Sequence, residues 1–365
     1  MRKDLTGSKF MLLLIVWALI AAIIFGAILR IDGLDRNAVL ASPWTLIGNQ
    51  LVVFIVPLAV WLFIKGESFK LNMPNRKLGA ANIVLIVAIS FFLQPAMMLI
   101  SFISSQFFHN PVSGILYGFM QHHYLLTIVA IAVTPAICEE VVFRGYIQSQ
   151  HRDRPIRKAA LLNGLFFAII HLNLQQFAYA FVMGVIFAYM VHYTRSIWAG
   201  ILPHFIINAT QATWGRLALA AEVTEDMPVP AMGEQFVTLG VILLVSVLVA
   251  VILFRMFFDH NRRRITADEQ GNRDNDGCPR YGDVDAGYSA RPDNVPRGND
   301  NPWHAANYEP GNTASNEPVP ARTLQAVQAP KQDDPPDAMS SRFDPYAIAV
   351  VAVFIFVALL LLLPV

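Results

Sequence analysis

Apolar residues run in long stretches along most of the chain, near 10–29, 45–64, 79–105, 125–148, 159–173, 176–193, 197–215, 234–257 and 345–364. Runs of that kind suit helices crossing a hydrocarbon core ~30 Å thick. The pattern predicts nine helices and an all-α fold class: a polytopic transmembrane helical bundle of about eight core spans, a disordered polar tail and a C-terminal single span. The expected domains are an integral membrane domain over 1–257, the tail over 258–344 and a last transmembrane helix over 345–365. The tail is rich in Asn, Asp, Pro, Gly, Gln and Arg and has few aliphatic residues. Such a stretch offers too little apolar surface to offset the entropy lost on ordering.

Composition narrows the class further. Of 365 residues, 55% are hydrophobic and only 15% charged, and the mean hydropathy is +0.47, which excludes an ordinary soluble domain. The net charge of +1 singles out no charged partner, and no nucleic acid is expected. The run at 10–29 follows Arg2, Lys3 and Lys9. It exceeds a signal core of ~7–15 residues and lacks a small-residue cleavage site, so it reads as a retained span. Cys138 lies in the fourth span and Cys278 in the tail, positions too different in character for a disulfide or a zinc knuckle.

Loop charges give an orientation. With the N-terminus inside, the inner segments carry Arg2, Lys3, Lys9, Lys65, Lys70, Arg76, Lys77, Arg152, Arg154, Arg157, Lys158, Arg195, Arg255, Arg262, Arg263 and Arg264. The outer segments carry Arg30, Arg36 and Arg216. An excess of roughly five to one places the N-terminus in the cytoplasm. The expected location is an integral, multi-pass position in the cell (inner) membrane.

Against that apolar background a few polar residues stand out inside the spans. Glu139 and Glu140 are adjacent in the fourth run, with Arg144 one turn later, and each charge near the centre of a span costs roughly 2.5 kcal/mol or more. Positions four apart share a helix face, so Glu140 and Arg144 can pair, while Glu139 is turned about 100° away. Pro135 should kink the helix before them. In the fifth span Asn163, Phe167 and His171 share a face, and in the seventh His204 and Asn208 are four apart, with Pro203 just before them. From the helical rise, Glu139 lies roughly 10–15 Å from the cytoplasmic edge, His204 about 12 Å, Asn208 about 18 Å and His171 roughly 20 Å. A meeting of the four in the cytoplasmic half is therefore expected. The remaining histidines, His151 among them, fall in loops, the tail or span ends and read as solvated, while Phe166 and Phe187 read as lipid-facing or packing residues.

A buried carboxylate beside an imidazole can hold and deprotonate water, and an imidazole with a carboxamide can donate to the oxyanion formed when a peptide carbonyl is attacked. No serine or cysteine is placed as an obvious nucleophile. Glu139, His171 and His204 are also the ligand types of a two-histidine, one-carboxylate zinc site, although the H-E-x-x-H spacing is absent. No cofactor is assigned, and zinc stays open. A proton-relay transporter is the weakest alternative, because no inverted repeat is visible.

The spacing carries a resemblance. Glu139-Glu140-Val-Val-Phe-Arg144, Phe167-Ala-Ile-Ile-His171 and His204-Phe-Ile-Ile-Asn208 match the E-E-x-x-x-R, F-x-x-x-H and H-x-x-x-N motifs. The chain over about 125–212 thereby resembles the CPBP family of intramembrane endopeptidases, also called the Abi or type II CAAX prenyl protease family. The resemblance implies Glu139 as the base, His171 as a holder of the water, His204 with Asn208 as the oxyanion site, and supporting roles for Glu140 and Arg144. It implies as partners the lipid bilayer and a protein or peptide substrate that is membrane-embedded or lipidated, such as a prenylated CAAX protein. The alternative it carries is a non-catalytic membrane scaffold or bacteriocin-immunity protein acting through a partner.

Overall fold

The computed structural model describes residues 6–31, 33–68, 73–108, 118–119, 121–152, 154–221, 232–276 and 344–362. Among these the chain is helical, and the one strand-like feature is an isolated bridge between Asn75 and Ser196. The longer helices are α1 (Thr6–Ile28), α2 (Pro43–Lys65), α3 (Ala80–Ser105), α4 (Tyr124–Gln150), α5 (Ile156–Ile170), α6 (Leu174–Thr194), α7 (Trp198–Ala221), α8 (Met232–Asp276) and α9 (Pro345–Leu362). This is an all-α, multi-pass membrane bundle.

Among the described residues six helical stretches have the length and apolarity of a bilayer span: α1, α2, α3, α4, α6 and Leu239–Arg264 of α8. The other three predicted runs form the helices α5, α7 and α9. Helix α5 has 15 residues, about 22 Å at 1.5 Å per residue, and falls short of the hydrocarbon core. Helix α7 is long enough at 24 residues, but Pro203, His204, Asn208, Thr210, Gln211, Thr213 and Arg216 dilute its apolar surface. In α9 the apolar described stretch is Tyr346–Ile355.

One correction concerns the tail. Helix α8 runs on to Asp276, so 258–276, read as part of a disordered segment, is helical. Arg262, Arg263, Arg264, Ala267, Glu269 and Gln270 favour helix and no proline interrupts it. The rest of that segment up to Phe343 lies outside the described residues.

Two apolar clusters hold the bundle. One joins α1, α2, α4 and α5 through residues such as Phe10, Leu14, Phe54, Phe143 and Phe167. The other joins α3, α6, α7 and α8 through Ile89, Phe187, Ile207 and Phe257. Helices α5 and α6 form the closest hairpin. A Cβ on Gly184 would come within 2.7 Å of Gly164 Cα, so only glycines permit this approach. Leu172, at φ 47°, turns the chain between the two helices, and the Asn173 side chain caps α6 by accepting from Gln175 N at 3.0 Å. Ile197 N donates to Pro74 O at 2.7 Å and Arg76 N to Arg195 O at 3.0 Å. Two segments assigned to the same membrane side by their charges are thus joined.

Helix α9 is latched at its start by Asp344. Its Oδ1 accepts from Tyr346 N and Ala347 N at 3.0 Å, and its Oδ2 accepts from Ser8 Oγ at 2.6 Å and Arg154 Nη2 at 3.0 Å. His151 adjoins the same knot, with Nε2 3.4 Å from Ser8 Oγ. It is 1% exposed, which corrects its reading as a solvated histidine. Burial and the charge of Arg154 push its pKa down to about 4.

Candidate active site

The site is built first by the irregular winding of α4. Residues Val129–Val133 and Val141–Ile147 are π-helical and flank a turn of α-helix, Thr134–Glu140, that carries both glutamates. Such π turns often accompany functional positions. Pro135 has no N–H for the carbonyl of Ile131 four residues back. That oxygen instead accepts from Asn208 Nδ2 at 3.2 Å. The Asn208 bond thus ties α7 to α4 at the π-helical stretch that precedes the glutamates.

Glu140 and Arg144 form the ion pair that their spacing predicts. Arg144 Nη1 donates to Glu140 Oε1 at 2.7 Å, and both side chains are fully buried. Arg144 Nη2 donates to Gly184 O at 3.1 Å. The guanidinium lies over the rings of Phe167 (4.4 Å) and Phe187 (5.4 Å), where cation–π attraction offsets part of its desolvation. Phe187 and Phe166 are both wholly buried, so of the two readings given for them packing is correct.

His204 bridges the two carboxylates. Its Nδ1–H donates to Glu140 Oε1 at 2.9 Å, and its Nε2 stands 3.9 Å from Glu139 Oε2, beyond hydrogen-bond reach but within the span of one bridging water. The other oxygen of Glu139, Oε1, accepts from Gln50 Nε2 of α2 at 2.9 Å. Glu139 Oε2 and Glu140 Oε2 are buried and have no hydrogen-bond partner among the described residues. Glu139, Glu140, Arg144 and His204 thus form one buried polar group, flanked by Phe167 of one apolar cluster and Phe187 of the other.

His171 joins the group less directly. It caps the end of α5, and its Nδ1–H donates to Phe167 O at 2.7 Å, which leaves Nε2 as its free ring nitrogen. The Phe167 ring packs edge-on against both His171 (5.1 Å) and His204 (5.8 Å). Among the described residues His171 has no hydrogen bond to either glutamate and adjoins His204 through the Phe167 ring, while the Asn208 side chain bonds Ile131 O, eight residues before Glu139. The zinc set would be Glu139, His171 and His204. No three His, Cys, Asp or Glu among the described residues are grouped as metal ligands, while His204 and His171 each hold Nδ1–H on an oxygen and keep Nε2 for another partner, as metal-ligating histidines also do.

Two contributors escape sequence reasoning. Gln50 sits in a span that no motif marks. Gly200 lies one turn before His204 on α7, and a Cβ there would collide with Glu140 Oε2. The glycine makes room for the carboxylate.

Residues 121–210 match the family of Rce1-like proteins, described as type II CAAX prenyl endopeptidase Rce1-like. Over this stretch the chain is similar to the Rce1-like family. The match covers α4 to α7 as far as Thr210, and so contains all seven motif residues, within four residues of the boundaries that the motifs suggested. No curated protein and no solved structure matches the chain. The Rce1-like match supports a hydrolase of the CAAX-type intramembrane protease class embedded in a multi-pass bundle, and its helices supply a carboxylate, imidazoles and a carboxamide at the seam where such chemistry would occur.

Proposed function

We propose that the protein is an intramembrane endopeptidase in which Glu139 activates water against peptide bonds of membrane-associated or prenylated, CAAX-type proteins or peptides. The observation that carries this reading is the bare, buried Oε2 of Glu139 facing His204 Nε2 at 3.9 Å, beside a second carboxylate already paired with Arg144. Glu139 Oε2 takes a proton from water held between it and His204. The hydroxide oxygen bonds to the carbonyl carbon of the scissile peptide, and the carbonyl electron pair moves to its oxygen.

Asn208 keeps one Nδ2–H beyond the bond it gives to Ile131, and that hydrogen is available to the oxyanion. His204 Nε2 can donate there only when it too carries a proton. Collapse of the tetrahedral centre breaks the C–N bond as Glu139 returns its proton to the leaving nitrogen, giving a new carboxylate and a new amine. His171, with Nδ1–H held by Phe167 O, offers Nε2 as an acceptor that orients the water. The basic-residue asymmetry supports a cytoplasmic N-terminus, with substrate entering from that side or laterally from the bilayer.

The test uses the purified full chain in lipid vesicles with a farnesylated CAAX reporter peptide. Glu139→Gln should lower kcat by at least about 100-fold, Asn208→Ala by about 10- to 100-fold, and a zinc chelator should leave the rate unchanged. Undiminished cleavage by Glu139→Gln would sink the proposal, and chelator-sensitive cleavage restored by zinc would replace the glutamate mechanism with a metal one.

A further inference from the structure

We propose that Gln50 is a positioning residue for Glu139, a role that rests on the proteolytic reading above. Gln50 lies on α2, outside the residues matched by the Rce1-like family, and opens directly into the apolar run Leu51-Val-Val-Phe-Ile-Val56. A carboxamide in such a span is costly unless it is hydrogen-bonded. Its Nε2 donates to Glu139 Oε1 at 2.9 Å, and both side chains are buried. Immediately after it α2 passes into a π-helical stretch, Leu51–Ile55, before Pro57, irregular winding like that around the glutamates on α4.

The consequence is an asymmetric carboxylate. Two oxygens of a free carboxylate are equivalent, and rotation of the group exchanges them. A donor fixed on Oε1 stops that exchange and leaves Oε2 as the oxygen that faces His204. Gln50 Oε1 is itself buried and has no partner among the described residues, so it adds an acceptor at the site for a hydrogen of the bound water. The rival role is a plain link between α2 and α4. A link would matter for stability alone, whereas a positioning residue acts on the chemical step.

The experiment compares the wild-type full chain with Gln50→Met, similar in length and apolar, and Gln50→Glu, similar in shape but without the amide donor. Turnover of the farnesylated CAAX reporter in vesicles is read together with the infrared carboxylate band of Glu139, isolated by subtracting the spectrum of Glu139→Gln. Both Gln50 variants should lower kcat by about 10- to 100-fold, the loss typical when a group orienting a catalytic residue is removed, with KM within about twofold. The Glu139 band should shift in Gln50→Met. An unshifted band, or an unchanged kcat while Glu139→Gln is inactive, would overturn the proposal for Gln50. Full activity of Glu139→Gln would instead overturn the proteolytic reading, and the band alone would still report whether the Gln50 bond exists.

Discussion

Replacing Arg144 with methionine would leave the buried Glu140 with His204 as its one remaining hydrogen-bond partner among the described residues. Removing one member of a buried ion pair typically costs about 3–5 kcal/mol, and here the loss extends to the bond with Gly184 O and the contacts with Phe167 and Phe187. Arg144→Met should therefore lower the thermal midpoint in detergent sharply, while Glu139→Gln, which removes no ion-pair partner in direct contact, should leave it within a few degrees. Gly200→Ala belongs to the same scale: its methyl would press on Glu140 Oε2, and overpacking of this kind costs about 1–3 kcal/mol. At this scale the Glu140–Arg144 pair was legible because both residues share one helix and a four-residue spacing. The Gln50 and Gly200 contacts were not, because each is made across helices by a residue with no charge to draw attention to it.

Among elements, the latch at the start of α9 gives a pH dependence. His151 faces Ser8, Arg154, Asp344 and the Phe166 ring, and its folded pKa lies near 4 against an ordinary value of 6.5. Above pH 6.5 the group is neutral in both folded and unfolded chains and contributes no pH dependence. Between 6.5 and 4 the unfolded chain takes up a proton that the folded chain refuses, so stability falls with pH by about 3 kcal/mol and then levels off. A thermal-midpoint series in detergent should show that slope in the wild type and a shallower one in His151→Gln. Elements were also where the sequence misled. The apolar run at 159–173 gave no sign that α5 stops at Ile170, because the break comes from the left-handed Leu172 and the Asn173 cap rather than from glycine or proline. The polar composition after 257 concealed that helix-favouring residues carry α8 on to Asp276.

For the molecule as a whole, the fully buried Glu140–Arg144 pair lies between Phe167 of one apolar cluster and Phe187 of the other. The Rce1-like residues supply α4 to α7, and α2 closes the site from outside that stretch with Gln50. The class of the molecule was legible from its hydrophobic runs, and the buried Glu140–Arg144–His204 contacts from the polar positions that interrupt them. How His171 is linked, through the Phe167 ring rather than by a bond to glutamate, depends on tertiary packing that spacing does not encode. The central claim is that Glu139 activates the attacking water. The most direct measurement compares membrane-protein termini in cells making the wild-type chain with those in cells making Glu139→Gln at equal abundance. A set of new C-termini present in the wild type and absent from Glu139→Gln is the predicted result, and the same termini at the same levels in both would contradict it.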